Sequence, residues 1–164
     1  MISFINDDIP SNSKSIQISN GSYNNVKLFK LFELNTIESI VIGDNSFCCV
    51  DKFVIDGLNH LKSIKIGSKS FTQQKDNWKT ISNSSSRSFS ILNCIELKSI
   101  EIGRYSFSGY SGSFELKNLP SLISIKIGSI ETDYSDSNNG GRSFNFAVSS
   151  FEIKGIIMFI MINE

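Results

Sequence analysis

The chain has 164 residues, enough for one ordinary domain, and its 16 basic side chains are matched by 16 acidic ones. That balance removes the electrostatic basis for nucleic acid or an anionic membrane as a default partner. Hydrophobic residues make up 40% of the sequence, enough for a buried core. The 25 Ile against 10 Leu, with 46 Ser and Asn, lean towards strands joined by many turns.

From the N-terminus, Met1 to Asp8 offers no basic flank and too short an apolar run for a secretory signal. Lys14 to Ser19, where Ile16 and Ile18 alternate with polar residues, opens a partial repeat over about 14–28. The first full copy follows with Phe29, Leu31, Leu34, Ile37, Ile40 and Ile42, then Gly43. The same spacing returns in Phe53, Ile55, Leu58, Leu61, Ile64, Ile66 and Gly67. It returns again from Phe89 to Gly103, from Phe114 to Gly128, and from Phe151 through Ile153, Ile156, Phe159 and Ile162. Of the 30 template positions in these five copies, 29 are apolar, Glu164 being the exception, which chance does not produce in this composition.

The copies begin near 29, 53, 89, 114 and 151, so short and long steps alternate, the extra length lying in polar insertions at about 72–88 and 129–150. Trp78 stands in the first insertion, where tucking down over exposed core is preferred to service as an exposed anchor. The last copy ends on Ile160, Met161 and Ile162 without a polar cap. A solenoid needs such caps, so the sequence leaves open a longer array or end-to-end self-association through that edge.

A period near 24 residues with an Ile-x-Ile ending predicts a single mainly β solenoid over 1–164. Its strands would form a short parallel sheet on the concave face, with irregular loops on the convex side. The residues Ser90, Ile91, Cys94, Leu97, Ile100, Ile102 and Gly103, followed by Ser106 and Phe107, resemble the leucine-rich repeat superfamily, and within it are most similar to the BspA-like proteins. The resemblance spans about residues 14–162. It implies non-catalytic protein binding and, as an alternative, an adhesin-like role at a cell surface. The asparagine that many such repeats place after the strand is replaced by a mixed column of Asn45, Lys69, Tyr105 and Ile130.

Chemistry-bearing residues are sparse. His60 is the single histidine and occupies a slot filled elsewhere by Thr36, Glu96 and Ser121, which predicts an exposed, variable side chain. No phosphate loop, dinucleotide fingerprint or paired carboxylates occur, so no enzyme activity and no cofactor are expected. Three cysteines, two of them adjacent, argue against a disulfide framework and are too few for a zinc site. Cys94 falls in the apolar column of Leu34, Leu58 and Leu119, while Cys48 and Cys49 lie in a short turn and are the more reactive pair.

Two columns of the Ile-x-Ile strands point away from the core. Ser15, Ser39, Ser63, Ser99 and Ser124 form one, expected either to hydrogen-bond along the sheet or to offer a flat polar floor. Gln17, Val41, Lys65, Glu101 and Lys126 form the other, variable in size and charge. The candidate partner-binding residues are therefore Ser39, Val41, Ser63, Lys65, Ser99, Glu101, Ser124 and Lys126. A protein partner is expected, with no nucleic acid and no transmembrane span. The lack of a leader segment favours the cytoplasm, with the cell surface as the alternative.

Overall fold

Apolar alternation over two stretches of each repeat gives two strands per repeat. A computed structural model describes residues 2–72, 86–128 and 150–154. Its strands are β1 (Ser3–Phe4), β2 (Ser15–Ile18), β3 (Leu28–Phe32), β4 (Ser39–Ile42), β5 (Lys52–Asp56), β6 (Ser63–Ile66), β7 (Ser88–Leu92), β8 (Ser99–Ile102), β9 (Ser113–Lys117), β10 (Ser124–Ile127) and β11 (Ser150–Lys154). The odd-numbered strands pair in parallel as a six-stranded sheet and the even-numbered ones as a five-stranded sheet. The chain is thus a parallel β-solenoid of about four turns, mainly β as the sequence predicts.

One detail of the expectation is corrected. The side opposite the Ile-x-Ile strands carries a second regular parallel sheet, not irregular loops. The cause is the Phe-x-apolar start of each copy, as in Phe29 with Leu31 and Phe53 with Ile55, which is itself a two-residue alternation with both apolar residues inward. Trp78, residues 73–85 and 129–149, and the predicted uncapped end at 155–164 lie outside the described residues.

The core between the sheets is made of columns. Ile37, Leu61, Leu97 and Leu122 are fully buried, as are Leu58, Cys94 and Leu119 beside them. Burial pushes the Cys94 thiol up to about 11, fitting a small hydrophobe that stays protonated. At one corner two aromatic columns run along the coil axis. Phe29 stacks on Phe53 (ring centroids 4.8 Å apart), Phe53 on Phe89 (5.0 Å) and Phe89 on Phe114 (5.0 Å). Phe47, Phe71 and Phe107 stack likewise at 5.1 and 4.7 Å, and meet the first column edge to face. Both arrangements are favourable for ring quadrupoles.

The Ser-Phe steps explain how the second column is held. Asn45, Lys69 and Tyr105, and two residues on Phe47, Phe71 and Phe107, adopt left-handed backbone with φ between 54° and 62°. The serine between them is buried and clips successive turns together. Ser70 Oγ accepts from Ser46 N (3.2 Å) and donates to Gly43 O (2.8 Å); Ser106 Oγ accepts from Ser70 N (3.1 Å) and donates to Gly67 O (2.6 Å). An alanine there would leave buried backbone groups unpaired, so serine is required by bonding and not by packing.

Tyr110 extends this aromatic corner, with its ring edge-on to Phe107 and its hydroxyl donating to Val50 O at 2.7 Å. Burial raises its phenol well above the ordinary value, so the bond is always made by the neutral form. Tyr110→Phe would keep the packing and orphan the Val50 carbonyl. A loss of about 1–3 kcal/mol in urea denaturation is expected; an unchanged midpoint would show that the carbonyl finds another donor.

At the N-terminal end the Asn6 side chain stands in for a neighbouring strand. Its Nδ2 donates to Phe32 O (2.7 Å) and its Oδ1 accepts from Phe32 N (3.0 Å), pairing backbone groups that would otherwise continue the ladder.

Candidate functional site

Parallel register fixes where the predicted surface residues fall. Ser15, Ser39, Ser63, Ser99 and Ser124 are direct cross-strand neighbours, and so are Gln17, Val41, Lys65, Glu101 and Lys126. The structure therefore brings all eight candidates onto one outward face of the five-stranded sheet. Ser39, Ser63, Ser99 and Ser124 are half-buried between larger neighbours; Val41, Lys65 and Lys126 are exposed and Glu101 half-buried.

Among the described residues no hydrogen bond joins one serine hydroxyl of this face to another, so the hydroxyl ladder, one of the two readings of this column, is not formed. Its place is taken by the buried Ser46, Ser70 and Ser106, whose neighbours in the next turn are backbone groups within bonding reach. On the open face, water serves the hydroxyls equally well, and nothing forces them to pair.

Charge is distributed unevenly here. Lys126 Nζ lies 3.6 Å from Glu101 Oε1, which leaves Lys65, although opposite Glu101 in register, without an ion pair among the described residues. A third column precedes the serines: Lys14, Glu38, Lys62, Lys98 and Ile123, joined by backbone bonds of 2.7–2.9 Å. Glu38 accepts from Lys62 Nζ at 2.8 Å and lies 3.4 Å from Lys14 Nζ. The hydrogen bonds from these two ammonium groups hold its carboxyl below the ordinary value. Because the groups are exposed, water screens the pairs and their weight in stability is small. A shallow depression of about 400 Å³ opens beside them, lined by Asn12, Lys14, Asn35, Thr36, Glu38 and His60. His60 is exposed as predicted, its Nδ1 3.2 Å from Glu96 Oε1 in the next turn.

The sequence reading missed the Lys14, Glu38 and Lys62 cluster, because these residues precede the strand and fall outside the apolar template. It also missed a short ladder at the corner after the six-stranded sheet. There Asn118 Nδ2 donates to Asn93 Oδ1 (2.9 Å), and Asn93 Nδ2 to Asp56 Oδ1 (2.7 Å). Asn93 and Asn118 share the left-handed conformation that asparagine tolerates, so the Asn four residues after Phe89 and again after Phe114 was the available signal, Glu33 and Gly57 holding the same position in the two earlier copies.

Among the described residues no group of three or more His, Cys, Asp or Glu gathers as metal ligands, and no helix is long and apolar enough to cross a membrane. No family model, curated protein or solved structure matches the chain.

Proposed function

We propose that the chain is a non-catalytic protein-interaction module of the leucine-rich repeat kind, most like the BspA-like group, binding through the outward face of the five-stranded sheet. The observation that carries this reading is the in-register pairing of a uniform serine column with a column that changes at every strand, from Gln17 through Val41, Lys65 and Glu101 to Lys126. Small hydroxyls keep the floor low, so the neighbouring side chains stand proud of it, and each strand can present a different contact without altering the core. Repeat solenoids recognise proteins with surfaces built this way. Lys65 has no acidic partner of its own among the described residues, and Val41 is 40% exposed, so the complementary surface presents a carboxylate beside an apolar contact.

The test is affinity capture with the chain carrying Lys65→Glu, Glu101→Lys and Lys126→Glu together, set against Lys30→Glu on the other sheet. Loss of the captured partner with the triple variant, and retention with Lys30→Glu, is expected. Equal recovery with all three proteins would overturn the assignment of this face.

A further inference from the structure

Cys48 and Cys49 occupy the two central positions of a turn closed by Val50 N donating to Phe47 O at 3.1 Å. The turn is fixed from the preceding repeat by Asn24, whose Oδ1 accepts from Cys48 N (2.9 Å) while its Nδ2 donates to Gly21 O (3.0 Å) and Asn45 O (3.1 Å). Both thiols are half-buried, their sulfurs 3.7 Å apart, and Cys48 Sγ donates to Asn24 O at 3.3 Å. Adjacent Cα atoms about 3.8 Å apart fall short of the roughly 4.4 Å that a relaxed disulfide needs. The pair is thus disfavoured as a disulfide and persists as a dithiol.

The sulfur separation selects what such a dithiol would hold. With bonds of about 2.3 Å, a bent near-tetrahedral centre spans sulfurs about 3.8 Å apart, whereas a linear one needs about 4.6 Å. Zinc would require about two further ligands, and among the described residues no third His, Cys, Asp or Glu joins the pair. A centre that brings its own third substituent and lacks only two bonds fits without them.

We propose that Cys48 and Cys49 form a vicinal dithiol site for monosubstituted trivalent arsenicals. Each sulfur forms one As–S bond as one As–OH bond of the hydrated arsenical breaks. The two thiol protons leave with the two hydroxyls as two waters, and arsenic stays trivalent, so no oxidant or reductant takes part. The turn holds both sulfurs on one side before binding, which makes the second bond intramolecular.

Phenylarsine oxide added to the reduced, folded chain tests this. One adduct per chain is expected, with a mass gain of one phenylarsenic unit less two hydrogens. Two thiols are lost to a chromogenic thiol reagent, excess monothiol does not reverse the adduct, and a small dithiol does. Cys48→Ser and Cys49→Ser should each raise the half-saturating concentration about 100-fold, the advantage of linked over separate bonds, with circular dichroism checking that each variant folds. Digestion of the native adduct should place the arsenic on the peptide holding residues 48 and 49. No adduct on the native chain, an adduct undiminished in either variant, or arsenic mapped to Cys94 would overturn the proposal.

Discussion

Gly103→Ala is expected to destabilise the folded chain by about 3 kcal/mol, the upper end for overpacking a filled site. A Cβ built on Gly103 would lie 2.6 Å from both Gly67 C and Ser68 N, which are backbone atoms of the preceding turn and cannot rotate away. The same holds at Gly67, where Asp44 N and Gly43 C each lie 2.7 Å from the added carbon. These glycines are demanded by the approach of one turn to the next; the backbone at Gly43, Gly67 and Gly103 is not left-handed. Gly57 makes the contrast. Its φ is +70°, and its nearest neighbour, Glu33 Cγ, is 3.5 Å away. The equivalent corners are filled by Glu33, Asn93 and Asn118, so an L-residue is accepted there. Gly57→Ala should cost only about 1–2 kcal/mol, the ordinary left-handed penalty. Guanidinium denaturation of the two variants decides the matter. A Gly103→Ala midpoint no lower than that of Gly57→Ala would show that the turns are not stacked this closely.

Phe53→Ala carries the largest expected loss, about 4–5 kcal/mol, at the top of the range for a buried phenylalanine. Phe53 is fully buried and touches four rings: Phe29 and Phe89 stacked at 4.8 and 5.0 Å, and Phe71 and Phe107 edge-on at 5.0 and 5.4 Å. Truncation opens a cavity where both aromatic columns meet and breaks the stack in its middle. Stability in a coil of this kind is a sum over neighbouring repeats, so the two halves lose their coupling as well as the contacts. Total stabilities of folded domains are about 5–15 kcal/mol, so this one change should bring the chain close to unfolding. Phe53→Leu, which keeps most of the volume, should cost about 1–2 kcal/mol and isolates the ring-specific part. Equal midpoints for the alanine and leucine variants in thermal and chemical denaturation would mean that cavity volume does not govern the site.

Much of this was legible in residue spacing. The Ile-x-Ile endings gave the register of the five-stranded sheet to the residue, because a one-residue slip would have exposed Ile40, Ile64 and Ile100 and buried Lys65 and Glu101. The second sheet was harder to read. Only two inward residues mark each of its strands, and Lys30, Val54, Ser90 and Glu115 between them share no common character. The corners were least legible, since phenylalanine at φ near 55° contradicts its own preference, and the stacked rings that hold Phe47, Phe71 and Phe107 there are visible only in three dimensions. On the candidate surface, position was readable from register, whereas the pairing of Lys126 with Glu101 and the isolation of Lys65 depend on rotamers that spacing does not determine.

The step from Phe47 to Phe71 is 24 residues and that from Phe71 to Phe107 is 36, yet the rings stack at 5.1 Å and 7° in the first case and 4.7 Å and 4° in the second. Contour length at this corner is therefore decoupled from pitch. Segments can be gained or lost between turns while every strand keeps its partner, so such a chain tolerates indels there without re-pairing its strands. The same corner is the natural place to graft a foreign peptide, because the lattice around it does not measure how much chain passes through.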